Sequence, residues 1–212
     1  MFTQAAACVR SEHPRLTELD SIGGDGDHGT TMLRTAEQME DRTDQAGTES
    51  PSGFLKAVGW RVLGVDGGAS SGLLGAFFAG MGEVDLNENS KQDSMDCHEF
   101  ALALQAGLRA VSKQSKARPG DKTMMDALTP AVEAVSAAAG AGKTIEEALD
   151  DAARAARLGA ESTSTMVARY GRARSLGERT RGYPDAGATS VALIFKGFRE
   201  GLAKGRVSDG GS

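Results

Sequence analysis

An all-α fold, an antiparallel bundle or barrel of eight helices joined by short loops, is what the sequence predicts, on three observations. Apolar residues return at helical spacing along nearly the whole chain. Hardly any segment alternates with period two for long enough to make a strand. Many of the recurring apolar positions are alanine, which lets helices approach closely.

Taken in order, a short first helix is expected near Phe2 to Ser11, and a second from about Thr30 to Asp44. Leu55, Val58 and Val62 mark a third, and Leu73, Leu74, Phe77, Phe78 and Met81 a fourth. The fifth carries Phe100, Leu104, Leu108 and Val111; the sixth Leu128, Ala131, Val132 and Val135. Ile145, Ala148, Leu149, Ala152 and Ala156 form the seventh stripe. The eighth, Val191, Ile194, Phe195, Phe198 and Leu202, is the clearest amphipathic pattern in the chain. Gly142-Lys143-Thr144 reads as a loop that closes the sixth helix and caps the seventh.

At 212 residues the chain suffices for one domain with a substantial core, taken as residues 1–204, with 205–212 a disordered tail. Glu83 to Asp96 is polar and acidic and reads as an exposed loop. A net charge of −5 with 25% charged residues gives no bulk support for binding nucleic acid or an anionic membrane, so small anions or proteins are the expected partners. Cys8 and Cys97 have neither a CxxC spacing nor a histidine at ligand distance, so no disulfide framework or zinc site is indicated. No run approaches 18 apolar residues, and Met1 to Arg10 lacks the basic start and apolar length of a signal peptide. A cytoplasmic location is the expectation.

The most informative stretch is Asp20-Ser21-Ile22-Gly23-Gly24-Asp25-Gly26-Asp27-His28-Gly29-Thr30-Thr31, with three carboxylates in eight positions among glycines. Carboxylate oxygens suit a hard cation such as Mg²⁺, which takes its remaining oxygens from water and phosphate. An acidic surface turn is the plainer alternative. Gly24, Gly26 and Gly29 match the dinucleotide fingerprint, but Leu16 to Ile22 lacks the β-branched run of a preceding strand, and Asp25 and Asp27 repel a pyrophosphate. An EF-hand fails because glycine falls at the fifth loop position and Ala36 stands where a glutamate is needed. A P-loop ending at Gly142-Lys143-Thr144 fails because Ala137 replaces its first glycine.

Two further segments stand out. Asp66-Gly67-Gly68-Ala69-Ser70-Ser71-Gly72 precedes a helix, where free N–H groups favour an anion; an ordinary turn capped by Ser70 or Ser71 is the alternative. Met166 to Ala188 is long for a helix connection and carries Arg169, Arg172, Arg174, Arg179 and Arg181, suited to phosphates or an acidic partner, or else simply a solvated charged loop.

Six colinear motifs resemble the nucleotide-binding subunit or domain of dihydroxyacetone kinases: Leu16 to Asp20, Gly24 to Gly29, Gly67 to Ser70, Gly120-Asp121-Lys122-Thr123-Met124, Gly171 to Arg179, and Asp185 to Ser190. The resemblance implies an eight-helix barrel whose loops at one end hold ADP or ATP with two Mg²⁺. By motif match, Asp20, Asp25 and Asp27 would bind metal, and His28, Gly29, Thr30 and Thr31 would meet phosphates at a helix start. Ala69 and Ser70 would line the site, and Gly120 and Thr123 would flank the base. Arg172, taken as the catalytic residue, would close over the nucleotide with Asp185, Ala186 and Gly187. Thr31 replaces the asparagine of many relatives and Thr129 a common methionine. Only nineteen residues precede Asp20, so the first helix is expected to be pared down or truncated. Related fatty-acid kinases have Asp-Gly-Asp-Thr-Gly-Thr-Asn around the aspartates, and His28 favours the dihydroxyacetone-kinase side.

The implied function is a phosphotransferase subunit, active only with a partner that holds dihydroxyacetone or a four-carbon ketose covalently on a histidine. His13 and His98 read as surface residues, and neither is placed to bind a sugar. In the phosphotransferase-linked type, ADP stays bound and is rephosphorylated by a phosphohistidine protein; in the ATP-dependent type it exchanges. The first use is favoured. A nucleotide-sensing adaptor that docks through Met166 to Ala188 is the alternative. A metal-dependent phosphohydrolase lacks an identifiable water-activating base.

Overall fold

The structure, a computed structural model, describes residues 1–47, 49–84 and 95–209. Among them are eight α-helices and no strand: α1 Phe2–Gly23, α2 His28–Asp44, α3 Pro51–Leu63, α4 Ala69–Met81, α5 Cys97–Gln114, α6 Met125–Gly140, α7 Ile145–Ser162 and α8 Ala186–Asp209. Two 3₁₀ segments, Thr163–Thr165 and Arg172–Thr180, lie between α7 and α8. The all-α expectation of eight helices holds. No helix among the described residues is long and apolar enough to cross a membrane.

The first helix is the clearest departure from the expected layout. In place of a short element ending near Ser11, α1 runs unbroken to Gly23, through Pro14. A helix-interior proline removes one N–H and usually breaks the ladder. Here the carbonyl of Arg10, which Pro14 cannot serve, accepts a hydrogen bond from Nδ1 of His13 at 2.8 Å. Pro14 itself is exposed. Consequently Asp20 belongs to the last turn of a helix and not to the glycine-rich loop that follows.

Other boundaries follow local chemistry. Helix α2 opens at His28, two positions before the expected Thr30, with the Thr31 amide bonded to the Asp27 carbonyl at 2.9 Å. Thr144 and Glu147 form a reciprocal capping box at the start of α7, as do Asp96 and Glu99 at α5. Gly142, at φ +68°, turns the chain between α6 and α7, as its loop reading requires. The acidic loop expected at Glu83 to Asp96 lies, except for its ends, outside the described residues. Helix α8 continues to Asp209, into the stretch expected as a tail, and residues 210–212 are outside the described residues.

Each helix packs on its chain neighbours, and α8 packs on α1, so the eight helices close into a ring. Phe77, Phe78, Phe195 and Phe198 fill its interior with Leu16, Met32, Met39, Met81, Leu104 and Leu149. Phe2 joins three walls, with ring centroids 5.2 Å from Phe54, 5.4 Å from Phe78 and 5.0 Å from Phe198. The seam between α8 and α1 is tight: a Cβ at Gly197 would lie 2.2 Å from the Cα of Ala5. Because consecutive helices run up and down, the α1–α2, α3–α4, α5–α6 and α7–α8 connections emerge at the same end.

The seam gives a direct test. Gly197→Val places a branched side chain into the α1 backbone and is expected to destabilise the protein by about 3 kcal/mol or more, near the upper end for overpacking. Gly140→Ala, at a helix position where a Cβ meets nothing within 4 Å, should leave stability unchanged or raise it slightly. Urea unfolding of both variants beside the parent measures the contrast.

Candidate functional site

At the end of the ring where those four connections meet, they line a cleft of about 320 Å³. Its lining residues fall within segments 19–28, 68–73, 115–125 and 170–187; Asp20 and Asp27 are among them and Asp25 is not. A larger groove of about 680 Å³ runs between α7 and α8. None of the candidate residues lines it, and three of its four arginines are already matched: Arg199 with Asp150, Arg154 with Asp151, Arg157 with Glu161. The smaller cleft is therefore where the sequence motifs converge.

Asp20, Asp25 and Asp27 are brought together, with one oxygen from each lying within 4.8 Å of the others. Asp20 reaches the group from the last turn of α1, and its Oδ2 accepts the His28 amide at 3.3 Å. Asp25 pairs with the guanidinium of Arg172. Asp27 sits at the N-cap of α2, yet its side chain caps no helix N–H. Aspartate at that position usually spends its carboxylate on the helix. The tight turn between them depends on Gly26, at φ +76°. Three carboxylates this close repel one another, and a single arginine leaves the group negative. Such an all-oxygen donor set beside a helix N-terminus fits a hard divalent cation.

His28 is nearly buried and serves as a strut. Its Nε2 lies 2.8 Å from Ser190 Oγ, and the Ser190 hydroxyl donates to the Ala186 carbonyl at 3.1 Å, so the imidazole is the donor in the His28–Ser190 contact. Burial lowers the His28 pKa, against the opposing pull of Asp20, the Ala186 carbonyl and Asp27. Gly29 is pressed against α1, where a Cβ would lie 2.2 Å from the His13 carbonyl oxygen. Thr31 is buried under Gly67, whose missing side chain leaves room for Thr31 Oγ1. Thr30 is exposed. None of Gly29, Thr30 and Thr31 lines the cleft; with the His28 amide on Asp20 and the Thr31 amide on the Asp27 carbonyl, the first turn of α2 is left with the N–H groups of Gly29 and Thr30 to offer.

In the second glycine-rich loop, Gly68 is the N-cap of α4, and Ala69 and Ser70 line the cleft. Neither serine caps the helix; Ser71 Oγ instead donates back to Val65 O at 3.2 Å and Gly68 O at 3.3 Å. The third loop is held by buried Asp126, whose two oxygens accept the amides of Gly120 at 2.6 Å and Thr123 at 2.7 Å. Thr123 lines the cleft, while Gly120 at φ +97° shapes the turn behind it. Asp185 caps α8, its Oδ2 accepting the Ala188 amide at 2.7 Å, and lines the cleft with Ala186 and Gly187.

The arginine-rich connection is not a free loop. Residues Arg172–Thr180 form a 3₁₀ segment kinked at Gly177, which packs on the end of α1. A Cβ at Gly23 would lie 2.9 Å from that of Ala173, and this closeness puts Arg172 over Asp25. Arg181 is paired with Glu178, and Arg169, Arg174 and Arg179 are exposed.

Sequence reasoning missed several lining residues: Leu73, Met124, Met125, Tyr170, Thr180, Tyr183 and Pro184. It also assigned no role to Lys122, Asp126 or Ser190, although Lys122 and Ser190 lie inside quoted motifs and Asp126 just beyond one. A lysine followed four residues later by aspartate at a helix start was the available signal.

Comparisons with known proteins agree on one family. Residues 22–200 match the DAK2 domain. The chain is 34% identical over 195 residues to the ADP-binding subunit DhaL of the PEP-dependent dihydroxyacetone kinase of Escherichia coli (strain K12), covering 92% of this chain and 91% of that one. It is 36% identical over 211 residues to L-erythrulose 1-kinase of Mycolicibacterium smegmatis, covering 96% of this chain but 34% of that protein. The crystal structure of the dihydroxyacetone kinase from C. freundii in complex with AMP-PNP and Mg²⁺ superposes with a TM-score of 0.71 at 27% identity, over 94% of this chain and 33% of that one. The chain thus spans nearly the whole of the bacterial subunit and about a third of the larger kinases.

Burial pushes the Asp185 carboxyl up to about 6; the Ala188 amide opposes this, Asp126 raises it further, Lys122 lowers it and Asp20 raises it. An acid whose pKa is raised on folding stabilises the folded form while protonated and loses that contribution as pH climbs from its ordinary value through about 6. Asp185→Asn keeps an oxygen for the Ala188 amide and does not titrate. Relative to this variant, the parent should lose stability between about pH 4 and pH 6 and then level off. Urea midpoints of both proteins in EDTA across that range check the sign; a constant difference would contradict it.

Proposed function

The chain belongs to the DAK2 domain family, and on that premise we propose that it carries magnesium-bound ADP or ATP in the four-loop cleft and passes phosphate to a short ketose held by a partner subunit. The observation that carries this reading is the trio Asp20, Asp25 and Asp27, gathered within 4.8 Å beside the first turn of α2. The E. coli relative is named as ADP-binding, and the C. freundii kinase was crystallised with a nucleotide analogue and Mg²⁺.

In this reading the three aspartates hold two Mg²⁺, which when bound neutralise charge on the phosphates and on the group being transferred. The chain's own residues supply position. The first turn of α2, opening at His28 with Gly29, Thr30 and Thr31, offers backbone N–H groups and the positive end of a helix to the phosphates. The start of α4, at Ala69 and Ser70, forms the facing wall. Gly120 and Thr123, with Met124 and Met125 behind them, shape the side for the base. Arg172 lies over the mouth and is the mobile positive charge of the site: its guanidinium, matched to Asp25 in the structure, can exchange that carboxylate for a phosphoryl oxygen. Asp185, Ala186 and Gly187 close the far edge.

The acceptor belongs to another chain. Of the three histidines only His28 lines the cleft, and it is committed to Ser190; His13 bonds the Arg10 carbonyl and His98 is exposed on α5. We take ADP as a resident cofactor, rephosphorylated in place by a phosphohistidine protein, because the chain covers 91% of the E. coli ADP-binding subunit. Protein purified without added nucleotide is then expected to carry close to one equivalent of ADP. Recovery of empty protein that exchanges ADP within seconds would favour the ATP-dependent use.

Calorimetry tests the site. Asp25→Asn and Asp27→Asn should weaken Mg-ADP binding at least about tenfold, since even residues that only support metal ligands cost that much when removed. Asp20→Asn should behave alike, and parental affinity in all three variants would refute the assignment. Assays with a dihydroxyacetone-binding partner subunit test the output. Triose phosphate should appear only when both chains are present, whereas a nucleotide-sensing adaptor would bind the partner and yield none.

A further inference from the structure

Lys122 combines three features that the ring of helices does not require. It is the one non-glycine residue at positive φ among the described residues, at +59°. That region crowds the Cβ of any L-residue except glycine, and asparagine or aspartate tolerate it better than lysine. Its side chain is buried, with 6% of the residue exposed, although lysine is rarely buried without a carboxylate partner. Its ammonium group makes no ion pair among the described residues; it donates to two backbone carbonyls, Thr163 O at 2.6 Å and Tyr183 O at 2.5 Å.

These acceptors are the two ends of the long α7–α8 connection, whereas Lys122 belongs to the α5–α6 turn. One cation thus ties together the stem of a connection whose middle carries Arg172. Three neighbouring links are neutral: the Asp185 amide to Thr163 Oγ1 at 2.7 Å, the Gly182 amide to Ser164 O at 2.8 Å and the Arg169 amide to Asp121 O at 3.1 Å; a charged one, from the Arg181 guanidinium to the Thr165 carbonyl, lies at the surface. The ammonium is the buried charge-assisted member of the set, and it lies on the cleft wall with Tyr183 and Asp185. Burial lowers the Lys122 pKa; Asp185 and Asp126 lie close enough to oppose this, though they do not bond the ammonium, and Arg181 adds to it.

We propose that Lys122 is a positioning residue, which clamps Thr163 and Tyr183 against the Gly120–Thr123 turn and thereby sets how long a nucleotide stays in the cleft; this rests on the nucleotide reading above. Without the ammonium, the buried Thr163 carbonyl and the partly buried Tyr183 carbonyl lose their donor, and the α7–α8 connection is loosened at both ends. The helices keep their own contacts, so release is local. Nucleotide residence then shortens, because Arg172 and the Asp185–Gly187 turn are carried by the freed segment.

Two variants separate the side chain from the backbone. Lys122→Met removes the charge and donors and keeps the strained φ; Lys122→Gly removes them and is at ease at +59°. Hydrogen exchange in nucleotide-free protein is expected to rise across 163–185 in both variants, with α2 and α4 protected as in the parent. Release of a fluorescent ADP analogue in Mg²⁺, followed by stopped flow, should be at least about tenfold faster in both. A Lys122→Gly protein that releases the analogue as slowly as the parent would overturn the clamp, since the left-handed turn alone would then suffice. Loss of protection spread over the helices would also overturn it, as a general structural role. Failure of the parent to bind the analogue would instead refute the nucleotide reading and the residence claim with it, while parental binding with unchanged variants would refute the clamp alone.

Discussion

Closure of α8 onto α1 is the contact on which the rest of the structure depends. It is made by glycine against alanine, Gly197 over Ala5, so two helix backbones approach to a distance that no larger side chain permits. An open row of eight helices would leave α1 and α8 at opposite edges. In the closed ring, the start of α8 stands beside the end of α1 and the start of α2, and His28 reaches Ser190 at 2.8 Å. The up-and-down order then does the sorting: every odd-numbered helix ends, and every even-numbered helix begins, at the same face. Four even-numbered helices bring their N-termini there, and the positive ends of their dipoles favour an anion at that face over the other.

That face is also where the carboxylates differ in what they do. Asp126 spends both oxygens on the amides of one turn, and Asp185 spends one on the first turn of α8. Asp96, far from this face in sequence, likewise caps its own helix. Asp27 has the same opportunity at α2 and does not take it. Together with Asp20 and Asp25 it leaves negative charge that Arg172 answers only in part. Helix dipoles that invite an anion and unspent carboxylates that repel one are reconciled by a cation placed between them, which is the physical case for a metal–phosphate ligand at this end of the ring.

The cleft has three walls made of shorter connections and a fourth that is longer. Its α1–α2, α3–α4 and α5–α6 walls are short connections pinned by helix ends. The α7–α8 wall is long: its 3₁₀ segment rests on the end of α1 through its own Ala173 and Arg172, against Gly23 and Asp25, and its two ends are tied by Lys122 through Thr163 and Tyr183.

The sequence by itself determined the helical class, the number of helices and the glycine-punctuated motifs, because 3.6-residue periodicity and turn chemistry are local properties. It also singled out Asp20, Asp25 and Asp27, since their spacing among glycines is visible without a fold. It could not show that α1 continues through Pro14, which depends on where the His13 imidazole goes, nor that Gly29 and Thr31 are packing residues and not cleft walls, which depends on α1 and Gly67 lying against them. Lys122 was legible only as a letter in a motif; its two acceptors lie more than a helix away in sequence. Only the tertiary structure decided those contacts, for a physical reason: a closed ring of helices brings together residues far apart along the chain, and no local pattern encodes which carbonyl a distant ammonium group will find.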